Sequence, residues 1–157
     1  KLPVPERRPT DIAACINSAL QAEALPPVID VELQIPENLP PVLIDEKQVR
    51  IAFANLIRNA RDAMPDGGRL TIAYAAQDGH VDISVVDTGI GIPAENLRQI
   101  MEPFFSTKAR GIGLGLALAR AILDKNEGEL DVTSQPGHGS TFVVRLQAVI
   151  SDAAASP

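Results

Sequence analysis

The apolar and polar positions of the chain fall into helical and strand periods punctuated by proline and glycine. Ile12, Ala13, Ile16, Ala19 and Leu20 recur at helical spacing. They predict a helix capped by Thr10 or Asp11 and running to about Ala24, where Pro26 and Pro27 stop it. Val28 to Ile35 alternates as a strand, and Pro36, Pro40 and Pro41 lead to a short strand at Val42 to Ile44. Asp45 caps the longest predicted helix, roughly Glu46 to Met64, which Pro65-Asp66-Gly67-Gly68 ends. Leu70 to Ala76 and Val81 to Asp87 form a hairpin about Gln77-Asp78-Gly79-His80. Pro93 to about Met101 is a short helix, and Leu114 to Lys125 is another, closed near Gly128. Leu130 to Ser134 and Ser140 to Leu146 make a final hairpin across Pro136-Gly137-His138-Gly139. Antiparallel pairs with helices between them predict a two-layer α/β sandwich, its mixed and largely antiparallel sheet carrying helices on one face. A doubly wound fold would need strict alternation of strand and helix.

Composition sharpens this picture. At 157 residues, 45% of them hydrophobic, the chain can bury the core of one domain and is not disordered wholesale. That domain is expected over 10–147. Residues 1–9, marked by Pro3, Pro5 and Pro9, read as a linker from a removed upstream region, and 148–157 as a flexible tail. A net charge of -6 argues against general nucleic-acid binding. Cys15 is the one cysteine, so no internal disulfide forms and a reducing, cytoplasmic setting is the expectation. No apolar run approaches the roughly 20 residues that cross a bilayer.

Three segments carry chemistry. On the long helix, Val49, Phe53, Leu56, Ile57, Ala60 and Met64 share an apolar face, while Asn55, Asn59 and Asp62 gather nearly opposite it and Arg50, Arg58 and Arg61 flank it. Asn and Asp are poor mid-helix residues, and an amide oxygen is a hard neutral ligand suited to Mg2+; merely solvated helix faces also carry such stripes. In Val85-Val86-Asp87-Thr88-Gly89-Ile90-Gly91-Ile92 an apolar strand ends in a carboxylate able to accept from an exocyclic amine, with Ile90 and Ile92 to wall a flat ring. An exposed turn would have the same short signature. Gly111-Ile112-Gly113-Leu114-Gly115-Leu116 opens directly into a helix, where converging N–H groups suit phosphate, with Lys108 and Arg110 just upstream. Glycines that merely start a helix would look alike.

Together and in order, these segments resemble the ATP-binding catalytic domain of sensor histidine kinases, whose superfamily also holds gyrase, a mismatch-repair ATPase and a heat-shock chaperone. Asn55 to Ala63 looks like the asparagine box, and Asp87 to Gly91 like the first glycine box. Glu102-Pro103-Phe104-Phe105 looks like the phenylalanine box, Gly111 to Gly115 like the second glycine box and Gly137 to Phe142 like the last. The stretches around Asp62-Ala63-Met64 and Thr107 to Gly111 are most similar to the nitrogen-regulation and oxygen-sensing subgroup. The resemblance implies a Bergerat-type fold that binds ATP and Mg2+. By position, Asp87 would bond the adenine amine, with Thr141 and Gly91 in a water-bridged network around the ring and Ala63, Gly89 and Ile92 beside it. Asn59 would ligate the metal with Asn55 next to it. Gly111 and the amides of Gly113, Leu114, Gly115 and Leu116 would hold the phosphates under a lid carrying Lys108 and Arg110. Asp62 stands where many members have Lys or Arg, which shifts the cationic role to the lid.

Superfamily members that hydrolyse ATP carry a Glu one turn before the metal-binding asparagine, and here that position is Asn55. An amide is no general base, and a neutral imidazole needs little proton removal to attack, so phosphotransfer to histidine is expected over hydrolysis. His80 and His138 both read as turn residues, so the acceptor is expected on a separate dimerisation domain, with a response regulator downstream and a monomeric fragment. The alternatives are an ATP-hydrolysing domain and a degenerate nucleotide-binding module.

Overall fold

The computed structural model describes residues 2–100 and 113–149. The elements run β1 (Arg8–Thr10), α1 (Ile12–Glu23), β2 (Ile29–Gln34), β3 (Val42–Ile44), α2 (Glu46–Ala63), β4 (Gly68–Gln77) and β5 (His80–Asp87). They continue with α3 (Ala94–Ile100), α4 (Gly113–Lys125), β6 (Glu129–Ser134) and β7 (Ser140–Gln147). Asp11 rather than Thr10 caps α1, its carboxylate accepting the Ala14 N–H at 3.1 Å. Asp45 caps α2 in the same way through Gln48. Among the described residues no helix is long and apolar enough to cross a membrane.

Five strands form one sheet in the order β2-β4-β5-β7-β6. Only β2 and β4 are parallel; the other neighbours run antiparallel. Parallel neighbours require a crossover, and α2 supplies it by packing across the sheet. Alternation decides which side chains face the helices. Leu70, Ile72, Val81, Ile83, Val85, Phe142, Val144 and Leu146 point inward and are buried. They meet Val49, Phe53, Leu56, Ile57, Ala60 and Met64, the apolar face expected for α2, every one of which is buried. The sandwich with helices on one face is therefore the observed architecture.

Two margins are more ordered than the sequence suggests. The proline-rich lead-in forms β1, pairing antiparallel with β3 in a second, two-stranded sheet. Arg7 reinforces it, donating to Glu127 Oε2 at 3.0 Å and Gln147 Oε1 at 2.9 Å. At the other margin, Val149 N–H donates to the Pro41 carbonyl at 2.8 Å. The pairing partners lie far away in sequence, so local patterning held no trace of them.

One buried polar group fixes the helix layer. Asn126, fully buried after α4, accepts the Asp45 N–H at 2.8 Å and donates to Gln48 Oε1 at 3.0 Å and the Ile122 carbonyl at 2.9 Å. Its amide is thus paired on both sides, tying the end of α4 to the start of α2. Cys15 belongs to the core as well, and burial pushes its thiol up to about 12, which makes it inert at neutral pH.

Candidate functional site

The chemistry-bearing residues meet where the C-terminal end of β5 approaches the last turn of α2. Asp87, the last residue of β5, points inward in phase with Val81, Ile83 and Val85 and is only 3% exposed. Its Oδ1 accepts the Gly89 N–H at 2.8 Å, and the Ser140 N–H also donates to the carboxylate. Burial raises the pKa above the usual aspartate range, and these two N–H groups only partly counter that.

The turn after Asp87 is pinned on both sides. Ile90 N–H donates to the Ala63 carbonyl at 2.9 Å, and Gly137 N–H donates to the Ile90 carbonyl at 2.7 Å. Close approach explains the glycines. A Cβ on Gly89 would collide with Ala63, and one on Gly91, at φ +75°, would strike the Gln135 carbonyl. Ser134 is the hub on the β6 side. Its Oγ accepts the Ile92 N–H at 2.7 Å, donates to the Gly139 carbonyl at 2.9 Å and lies 2.7 Å from Ser140 Oγ. Sequence reading gave no sign of this serine, whose role depends on three segments meeting.

The expectation for Thr141 needs correction. Thr141 lies opposite Val86, whereas Ser140 lies opposite Asp87. One step along a strand reverses the side chain, so Thr141 leaves from the sheet face away from Asp87, and Ser140, 5% exposed, is the hydroxyl on Asp87's side. The signal was present: Ser140 continues the inward series Phe142, Val144 and Leu146.

On α2 the asparagine stripe is not a uniform solvated face. Asp62 is exposed and Asn59 half-buried, but Asn55 is only 9% exposed because α4 begins beside it. A Cβ on Gly115 would lie 3.7 Å from Asn55 Cγ. Asn59 carries no side-chain hydrogen bond among the described residues. Asn55 was expected to share a cation with Asn59, yet its Oδ1 accepts from Arg58 Nη1 at 3.1 Å, and its Nδ2 is buried without a partner among the described residues.

Gly113, Leu114, Gly115 and Leu116 form the first turn of α4, where backbone N–H groups lack intrahelical acceptors. Lys108, Arg110, Gly111 and the Phe104-Phe105 pair lie outside the described residues. A shallow cavity of about 270 Å³ includes Ala63, Gly89 and Ile90 but not Asp87, Asn55 or Asn59. His80 opens β5 with Nε2 3.8 Å from Asp82, and His138 occupies the β6–β7 turn, so neither histidine lies on a helix.

Residues 44–150 match the family model described as histidine kinase-, DNA gyrase B- and HSP90-like ATPase. Sporulation kinase E of Bacillus subtilis (strain 168) is 35% identical over 142 residues, covering 90% of this chain and 19% of that protein. Sporulation kinase C of the same organism is 48% identical over 102 residues, covering 65% of this chain and 24% of that one. The chain thus spans about a fifth to a quarter of these relatives. Among solved structures, full-length ShkA in complex with AMPPNP superposes with a TM-score of 0.77 at 26% identity, covering 93% of this chain and 32% of that one.

Proposed function

Because the chain belongs to the histidine kinase-, DNA gyrase B- and HSP90-like ATPase family, we propose that it binds ATP and delivers the γ-phosphoryl group to a histidine on a separate dimerisation domain. A response regulator would then take the phosphoryl group onward. The observation that carries this reading is the Asp87 carboxylate, buried at a sheet end and held by two N–H groups beside the helix that bears Asn55 and Asn59. A buried carboxylate with a spare lone pair suits the adenine amine, with Gly91 and Ile92 beside the ring and the Ser140 hydroxyl adjacent. ShkA, a structural neighbour, was solved in complex with AMPPNP, an ATP analogue, which supports the same ligand here.

The residues present fit a magnesium ion shared with phosphate. Asn59 offers one uncommitted neutral oxygen, and Mg2+ keeps the rest of its shell in water and phosphate oxygens. When bound, the ion supplies positive charge to the polyphosphate. The first-turn amides of α4, with Lys108 and Arg110 upstream, would orient the phosphates, so the chain acts mainly by positioning. Asn55 occupies the place of a hydrolytic Glu, and without a base there water is a poor acceptor while a neutral imidazole is a competent one.

Calorimetric titration with Mg-ATP tests the site. Wild type should bind, and Asp87→Asn should lose roughly a hundredfold in affinity, since an amide turned toward an amine sets donor against donor. Equal affinities would remove Asp87 from the site. Mixing the chain with an acceptor hairpin should yield acid-labile, base-stable phosphoprotein. Multiple-turnover phosphate release by the chain alone would favour the hydrolytic reading instead.

A further inference from the structure

The sheet ends at two unlike edges. β6, at one edge, has its inward Leu130 buried, and α3 and α4 both pack against it. β2, at the other, pairs with β4 alone. The parallel register sets Val31 beside Leu70 and Leu33 beside Ile72, so both side chains point toward the helix layer. Their β4 neighbours are fully buried, yet Val31 is 43% exposed and Leu33 40%. Ile35, two residues on in the same phase, is 44% exposed. β4 flanks this row on one side, and no strand stands on the other.

Strand edges are commonly blunted by a proline, a bulge or a charge aimed inward. β2 has none of these. Residues 29–34 contain no proline, pair with β4 without a break, and keep Ile29, Val31 and Leu33 at the inward positions. Along a strand every second residue turns its N–H and C=O to one neighbour, and the residues between turn theirs the other way. Half of the β2 backbone groups therefore aim at the open side, which is the template for an added strand.

Side-chain chemistry names the occupant. A strand laid on this edge carries its inward side chains beside Val31 and Leu33, and its outward ones beside Asp30 and Glu32. The first set must be apolar. The second meets two exposed carboxylates: Glu32 has Arg69 at 3.8 Å, and Asp30 has no side-chain partner among the described residues. Past the strand, Glu37 adds another exposed carboxylate, and Asp11 borders a cavity of about 300 Å³ lined also by Ile35 and Leu39. That cavity prolongs the apolar row and suits one bulky side chain. A second copy of the chain is a poor occupant, because two paired β2 strands set Asp30 and Glu32 against the same carboxylates.

We propose that the open edge of β2 docks an extended segment of another protein, added as a further strand, in which apolar and basic residues alternate. The site lies two strands from β5 and is independent of the nucleotide reading.

A capped nonapeptide of alternating lysine and valine is the probe, titrated into this chain and followed by calorimetry and amide hydrogen exchange. Saturable binding should slow exchange at 29–34. Binding without slowing there overturns the proposal, as does no binding at all. The same peptide with its central valine replaced by proline keeps the charge and loses the strand, so it should bind about tenfold more weakly. Equal affinity would mean that charge alone acts, which sinks the docked strand. Leu33→Lys places a charge on the half-covered inward row. It should weaken the peptide about tenfold while melting within a few degrees of wild type and binding Mg-ATP as wild type does. If that variant fails to fold, Asp30→Asn carries the test, with a several-fold loss for the lysine peptide at low salt that shrinks at high salt. Unchanged peptide affinity in the folded variant removes β2 from the site. Protection of 29–34 that rises with chain concentration and needs no peptide would give the edge to a second copy and overturn the proposal.

Discussion

The two ends of the site are built to different standards. Around Asp87 the polar atoms answer one another: Gly89 and Ser140 donate to the carboxylate, Ser134 links Ile92 to Gly139, and Ile90 joins α2 to the last hairpin. Along α2 the pattern is reversed, since among the described residues Asn59 is uncommitted and Asn55 Nδ2 is buried without a partner. Under the proposed function, one end is organised before any ligand arrives, and the other would be completed by it. Preorganisation at the first end limits what can enter, because a rigid acceptor selects its donor. Incompleteness at the second end makes occupancy itself stabilising.

The contrast can be broken by substitution. The largest effect should come from Gly139→Ala. Gly139 sits at φ +79°, and a Cβ there would collide with the Asp87 carbonyl. A loss of about 3 kcal/mol in unfolding free energy is expected by denaturant titration. A near-neutral result would mean the Asp87 end is softer than described. Gly115→Ala is the matching control on the other side. Its Cβ would make ordinary contacts with Asn55 at 3.7 Å, so unfolding stability should stay within about 1 kcal/mol of wild type.

Next in size is Asn59→Ala, which should weaken ATP binding about tenfold in Mg2+ and little in chelator. Equal losses in both would take the metal away from α2.

A smaller effect separates affinity from stability by pH. The folded pKa of Asp87 is raised, mainly by burial, above its unfolded value. The folded state therefore binds the proton more tightly, and the residue's favourable contribution, present below the unfolded pKa, is lost as pH rises through the folded one. ATP binding has the opposite sign because it needs the ionised acceptor. Acidification from neutrality should lower ATP affinity before ordinary aspartates titrate, and Asp87→Asn should flatten that dependence while melting no lower than wild type at pH 7. A calorimetric pH series on both proteins checks this.

How far the sequence speaks differs between the same two regions. The α2 faces, the Asp45 cap and the Asp87 strand end were legible because each is written in a local period or a single capping residue. The β1–β3 pair and the Ser134 hub were not, since both depend on distant segments meeting. Ser140 was legible and was passed over for its neighbour, a one-residue slip that strand alternation corrects. The polarity of Asn55 was beyond any motif. It is set by Glu23, which lies 35 positions from Arg58 and reaches it only once α1 packs on α2.

Asn126 has a mechanical corollary. It bolts the tail of α4 to the start of α2, while Leu116 seats the first turn of the same helix in the core. A rod of 13 residues hinged at its tail is a lever roughly 20 Å long, and a tilt of about 5° sweeps its head through about 1.7 Å. Leu116, Ala119, Ile122 and Leu123 are buried along that rod, so any swing of its head would have to repack the hydrophobic interior.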